Sequence, residues 1–212
     1  NIWGHMYLIV FFLLLFLVYL ELSGWKKQWI PISAVVLPFS CVVCILSFPF
    51  ISSTRTMETG VANHLLPFHV IFALSGELFF LLSAASSLLA LYLEYRLKGK
   101  SSIKSIAAFP SLESFESFNL WSSSRAFFLL SIGLVMGILL VWVNFRTVSL
   151  FSFKEMVMYL SWIFVGVIFF LRKKKLIPRI YIGIMTVVFF ITTAALFVAS
   201  NFFREAGFHS FR

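Results

Sequence analysis

The sequence predicts an all-α integral membrane protein: a bundle of about six transmembrane helices with both termini on the extracytoplasmic side. Three observations predict this class. Of 212 residues, 61% are hydrophobic and the mean hydropathy is +1.00, where soluble domains hold roughly 45–50% apolar residues. Only 12% are charged, about half the usual share of roughly 25%. The apolar residues also fall in runs of the length that crosses about 30 Å of hydrocarbon. Phenylalanine alone contributes 28 residues, and aspartate is absent.

Six runs qualify as spans, at about 2–20, 29–50, 65–93, 126–145, 154–171 and 178–203. The first is too long for a signal-peptide core and has no basic segment before it. As the chain opens on Asn1, it is expected to be part of a longer protein, beginning just ahead of a helix. Pro31 opens the second span and Pro38 lies inside it, where it should kink the helix. Pro67 and Pro178 are expected in first helical turns, where proline is tolerated. The third run exceeds the hydrocarbon thickness, so its end near Glu94, Tyr95 and Arg96 should project from the membrane.

The basic residues orient these runs. Lys26, Lys27, Arg96, Lys98, Lys100, Lys104, Arg125, Arg172, Lys173, Lys174, Lys175 and Arg179 fall on one side, and the remaining five of the 17 on the other. The positive-inside rule places the larger set in the cytoplasm. The net charge of +9 therefore serves orientation, and its division into short clusters between apolar runs argues against a nucleic-acid partner. The longest loop, about 99–125, is then cytoplasmic. Within it Leu112, Phe115 and Phe118 stand three apart with Glu113 and Glu116 between them, which predicts a short amphipathic helix lying on the inner membrane face. Two regions follow: an N-terminal two-helix part, 1–63, and a transmembrane domain, 64–212.

Few residues carry chemistry. All four histidines, His5, His64, His69 and His209, fall on the extracytoplasmic side of this topology. His69 and His209 come from different helices at one depth, an arrangement that suits bis-imidazole ligation of a haem iron as well as two unrelated interfacial histidines. The loop before the fifth span holds Trp142, Arg146, Phe151, Phe153 and Lys154. Its rings can cover a porphyrin face and its cations can pair with propionates, or the same residues can form an interfacial aromatic belt. Glu77, well inside a span, marks either function or a hydrogen bond to a Ser or Thr within the bundle. It lies two turns from His69, so a supporting role to that ligand, with His64, is open. Cys41 and Cys44 form a C-x-x-C inside an apolar run, which reads as two small buried residues. Gly133 and Gly137 form a GxxxG, which reads as close helix packing.

Several stretches, in order, resemble the cytochrome c assembly protein family of CcsA, ResC and HemX type. They are HLLPFHV from His64 to Val70, LYLEYRLK ending at Lys98, FPSLE ending at Glu113, the stretch that begins at Gly137, and Asn201 with GFHSF ending at Phe211. The likeness covers about two-thirds of the chain. It implies that His69 and His209 are axial ligands to haem, of the b type, at the extracytoplasmic face of a bacterial-type cytoplasmic membrane. It implies that the 142–155 region is a haem platform. Where the family reads WDPKE, this chain has Phe151, Ser152, Phe153, Lys154 and Glu155, which favours the HemX-like branch. The implied function is haem handling in cytochrome c biogenesis or haem biosynthesis, by ligation and shielding rather than covalent catalysis. The alternative is a scaffold or regulator acting through the 99–125 loop on glutamyl-tRNA reductase or another assembly subunit, with a vestigial haem site.

Overall fold

The computed structural model describes residues 15, 18–19, 22, 31–34, 36–38, 62–99, 110–145 and 153–205. Every regular element among them is an α-helix. Four are continuous: α1 (Ala62–Lys98), α2 (Leu112–Phe145), α3 (Phe153–Lys174) and α4 (Arg179–Glu205). Each contains a stretch apolar and long enough to cross a membrane: Pro67–Lys98, Leu112–Leu140, Met156–Lys174 and Arg179–Leu196. Most of the first two expected spans, with Cys41 and Cys44, lies outside the described residues.

Local chemistry sets the helix ends. Ser111 caps α2, its hydroxyl accepting from the Ser114 amide at 3.2 Å, with Glu113 in the first turn to complement the helix dipole. The last turn of α3 holds Arg172, Lys173 and Lys174, favourable beside the free carbonyls there. The helix stops because Lys175 turns left-handed, with φ of 52°, and its amide bonds to the Arg172 carbonyl at 3.2 Å. Pro178 follows, unable to donate to a helix but able to start one: its carbonyl accepts from the amides of Tyr181 and Ile182. Pro67, expected in a first turn, lies inside α1 because that helix begins earlier, at Ala62.

The cross-helix contacts fix an up-down-up-down bundle. Going up α1, His69, Ala73 and Gly76 meet Gly137, Gly133 and Leu130 in descending order on α2. Phe127 of α2 meets Gly166 of α3, and Glu116 meets Arg172. Phe164 stacks on Phe189 of α4 with centroids 4.1 Å apart. Phe80 meets Phe190 edge-on, and Leu91 meets Gly183, which closes the ring from α4 back to α1. The ends of α1 and α3 and the starts of α2 and α4 thus share one end of the bundle, and the basic clusters at 96–98 and 172–179 come together there.

The distribution of side chains is that of a protein solvated by lipid. Ser83, Ser86, Ser87, Asn119, Ser122, Ser123, Ser161, Thr186 and Thr193 are buried, while Phe128, Ile132, Val135, Ile163, Val167, Phe170, Ile184, Val188 and Ile191 are exposed. In lipid, apolar side chains gain little by leaving the surroundings, so small polar residues that allow close approach move to the inside. The chain is therefore a membrane protein, with four helices among the described residues long and apolar enough to cross the bilayer.

One element departs from expectation. The 112–118 segment is not a separate helix on the membrane face; it is the first two turns of α2. Phe115 and Phe118 are fully buried in a cluster with Leu82, Ala85 and Leu93 of α1 and with Ile32 and Val36. The expected loop, 99–125, is helical from Leu112 onward. The apolar stripe that suggested lipid contact is consumed by helix packing.

Candidate functional site

The histidine end of the bundle is built on two glycines. A Cβ at Gly133 would sit 3.0 Å from the Ala73 backbone nitrogen, and one at Gly137 would sit 2.9 Å from His69 Cε1. Only glycine lets α1 come this near, and the GxxxG groove of α2 receives the imidazole of His69. Nδ1 of His69 lies 2.8 Å from the Gly133 carbonyl oxygen, so Nδ1 carries the proton and donates it. The carbonyl can only accept, and this leaves the Nε2 lone pair free. A carbonyl accepting from the second nitrogen is the usual device that fixes the ring of a metal-binding histidine.

The other proposed partners of His69 are placed unevenly. Trp142 lies on α2, five residues beyond Gly137 toward the same end, and is 64% exposed, open to lipid or to a flat ligand. His64 lies in the first turn of α1, and Phe153 and Lys154 open α3; the structure does not describe their side chains. His209, Arg146 and Phe151 lie outside the described residues. No cluster of three or more potential metal ligands occurs among the described residues. A haem would therefore meet one well-oriented imidazole, His69, on this part of the chain.

Glu77 does not reach His69. Ser161 of α3 donates to its Oε1 at 2.7 Å, while His69 is bound to α2, so the two groups serve different helix pairs. Of the two readings of Glu77, the hydrogen bond to a serine within the bundle is the one observed. Nearby, Trp162 Nε1 donates to Ser131 Oγ at 2.8 Å, and Ser131 donates back to the Phe127 carbonyl at 2.7 Å. These bonds satisfy polar groups that lipid cannot.

Arg172 is the polar site that sequence reasoning missed. It is only 4% exposed, and its guanidinium reaches all three other helices. Nη1 pairs with Glu116 Oε1 of α2 at 3.1 Å. Nη2 donates to Ser87 Oγ of α1 at 2.9 Å and to Thr186 Oγ1 of α4 at 3.0 Å. Ser83 and Ser87 both lie 3.2 Å from Asn119 Oδ1, extending the network. A signal for it exists: Ser161, Val165, Ile168 and Arg172 follow one another at spacings of four, three and four, and all are buried. Arg172 thus continues the inward stripe of α3, although it heads a run of basic residues.

Compared with protein-family models, with curated proteins and with solved structures, the chain matches none.

Proposed function

We propose that this protein holds haem at the histidine end of its bundle, with Nε2 of His69 as an axial ligand and His209 as the second. Trp142, Arg146, Phe151, Phe153 and Lys154 are the residues assigned to cover and anchor the macrocycle, in the cytoplasmic membrane of a bacterial-type cell. The observation that carries the reading is the 2.8 Å bond from His69 Nδ1 to the Gly133 carbonyl. It fixes both the tautomer and the ring plane, which an interfacial histidine has no need of. The protein's contribution is ligation, orientation and exclusion of water, and the bound iron supplies any redox chemistry. Haem delivery during cytochrome c maturation or haem biosynthesis is the process in which such a membrane site serves.

The test is a reduced-minus-oxidised spectrum of the detergent-purified protein, beside His69→Ala and His209→Ala. The expected result is stoichiometric haem with a low-spin bis-imidazole spectrum, lost or converted to high spin in either variant. A parent protein without haem after expression with ample haem supply would refute the reading. Haem retained unchanged in both variants would refute the ligand assignment alone.

A further inference from the structure

Arg125 is placed unlike any other cation of the bundle. Every other basic residue among the described ones stands within two residues of a helix end. Arg125 stands thirteen residues from the start of α2 and twenty from its end, about 20 Å and 30 Å along the axis. On either side of it in α2, Trp121 and Leu130 meet Phe79 and Gly76 of α1. Arg125 is therefore level with the stretch of α1 that is apolar enough to cross a membrane, Pro67–Lys98. Its side chain is nonetheless exposed. A guanidinium on the lipid-facing side of a helix is costly unless it is paired or reaches the interface.

The side chain is held in one direction. Nη1 donates to the Trp121 carbonyl at 3.2 Å, and the guanidinium carbon lies 4.0 Å from the centroid of the Trp121 ring. That ring is itself fixed, with Phe79 of α1 and Phe118 both 5.5 Å away. The guanidinium is thus folded back one turn toward the start of α2, the basic end of the bundle. This is the direction in which a long cation reaches for the headgroups of the near leaflet. Arg125 is exposed, so donors of its planar fork remain for an anion outside the bundle.

The described residues supply no such anion. Glu77 is taken by Ser161 of α3, Glu94 by Lys98 and Glu116 by Arg172. Glu113 is in the first turn of α2, about 18 Å from Arg125 along the axis. Toward the histidine end, Phe128, Ile132, Val135 and Leu139 are exposed at spacings of four, three and four. They continue the face of Arg125 as an apolar track along α2.

We propose that Arg125, stacked on Trp121, binds the phosphate of an anionic phospholipid from the leaflet at the basic end, with an acyl chain laid along the Phe128–Leu139 track. The backward fold of the guanidinium favours a headgroup over the carboxylate of a neighbouring membrane helix, which would draw it sideways. The site is independent of the histidine end and of haem.

The experiment follows the thermal unfolding midpoint of the full chain in neutral detergent. Mixed micelles of phosphatidylglycerol are titrated in one arm, and phosphatidylcholine with the same acyl chains in the other. The expected result is a saturable rise in midpoint with phosphatidylglycerol at a lower concentration than with phosphatidylcholine. Arg125→Gln should weaken the apparent affinity for phosphatidylglycerol roughly tenfold, the scale of one charge-assisted hydrogen bond. Lys174→Gln, which removes the same charge at a helix end, should leave it within about twofold. If the glutamine variant does not fold, Arg125→Lys decides: it keeps the charge but loses the stacked fork, and should weaken binding about threefold. An equal response to the two lipids, or an equal effect of Arg125→Gln and Lys174→Gln, overturns the proposal. So does a membrane protein that co-purifies with the parent chain and is lost from Arg125→Gln, which would assign this face to an acidic partner helix.

Discussion

At the scale of single residues, the bundle is held by close approach and by internal hydrogen bonds, since lipid offers no hydrophobic gain for helix association. The glycines show how finely the spacing is set. At Gly133 an added methyl meets the Ala73 backbone at 3.0 and 3.2 Å, whereas at Gly183 it meets only the Leu91 side chain at 3.4 Å. Backbone atoms cannot turn aside, so Gly133→Ala should push α1 and α2 apart and destabilise by about 1–3 kcal/mol. Gly183→Ala fits in ordinary contact and should be neutral or stabilising by up to about 1 kcal/mol, from the gain in helix propensity. Thermal unfolding in detergent measures both; the same sign for the two would contradict the packing described. The GxxxG was legible as a packing motif from its spacing alone. Its other role, as the seat of His69, was not, because the register between α1 and α2 depends on the whole helix pair. Arg172 was hidden for a related reason. In the sequence it is one of four consecutive basic residues, and only the phase of α3 separates the one that points inward from its neighbours.

At the scale of elements, helix existence was legible and helix limits were not. The apolar runs at 65–93, 126–145, 154–171 and 178–203 each became a helix, but α2 starts fourteen residues before its run. The segment from Leu112 to Arg125 is rich in serine and carries Glu113 and Glu116, which is the composition of a loop in a soluble protein. In a lipid-solvated bundle the same serines belong inside: Ser122 and Ser123 hydroxyls donate back to the carbonyls of Phe118 and Asn119, and so bring no unpaired group to the helix contact. The turn between α3 and α4 offers a direct test of element termination. Lys175 holds a left-handed φ of 52°, a conformation that costs a side-chain-bearing residue about 1–2 kcal/mol. Lys175→Gly removes that strain and gives up about 0.3 kcal/mol of favourable charge at the helix end. The net effect should be a gain in stability of about 1 kcal/mol, seen as a higher unfolding midpoint; a lower one would mean that the lysine side chain holds the turn.

At the scale of the whole molecule, two ends of different chemistry are separated by an apolar belt. One end carries His69, cradled between two helices. The other gathers Arg96, Lys98 and the 172–179 cluster, with Arg172 buried among the helices. This polarity was legible in outline from the positions of lysine and arginine, because the energy of placing charge relative to a membrane acts on sequence directly. The meeting of the three other helices on Arg172 was not, because it depends on how four helices close into a ring. The charge asymmetry makes a prediction for orientation: the basic end faces the cytoplasm. Tyr95 and Trp142 are exposed near opposite ends, at 76% and 64%, and so report on it. In a background with Cys41 and Cys44 replaced by serine, Trp142→Cys should react with a membrane-impermeant maleimide in intact cells. Tyr95→Cys should react only after the membrane is permeabilised. The reverse pattern would place the basic end outside and His69 inside, and with it would fall the assignment of haem to the extracytoplasmic face, whatever the spectrum of the purified protein.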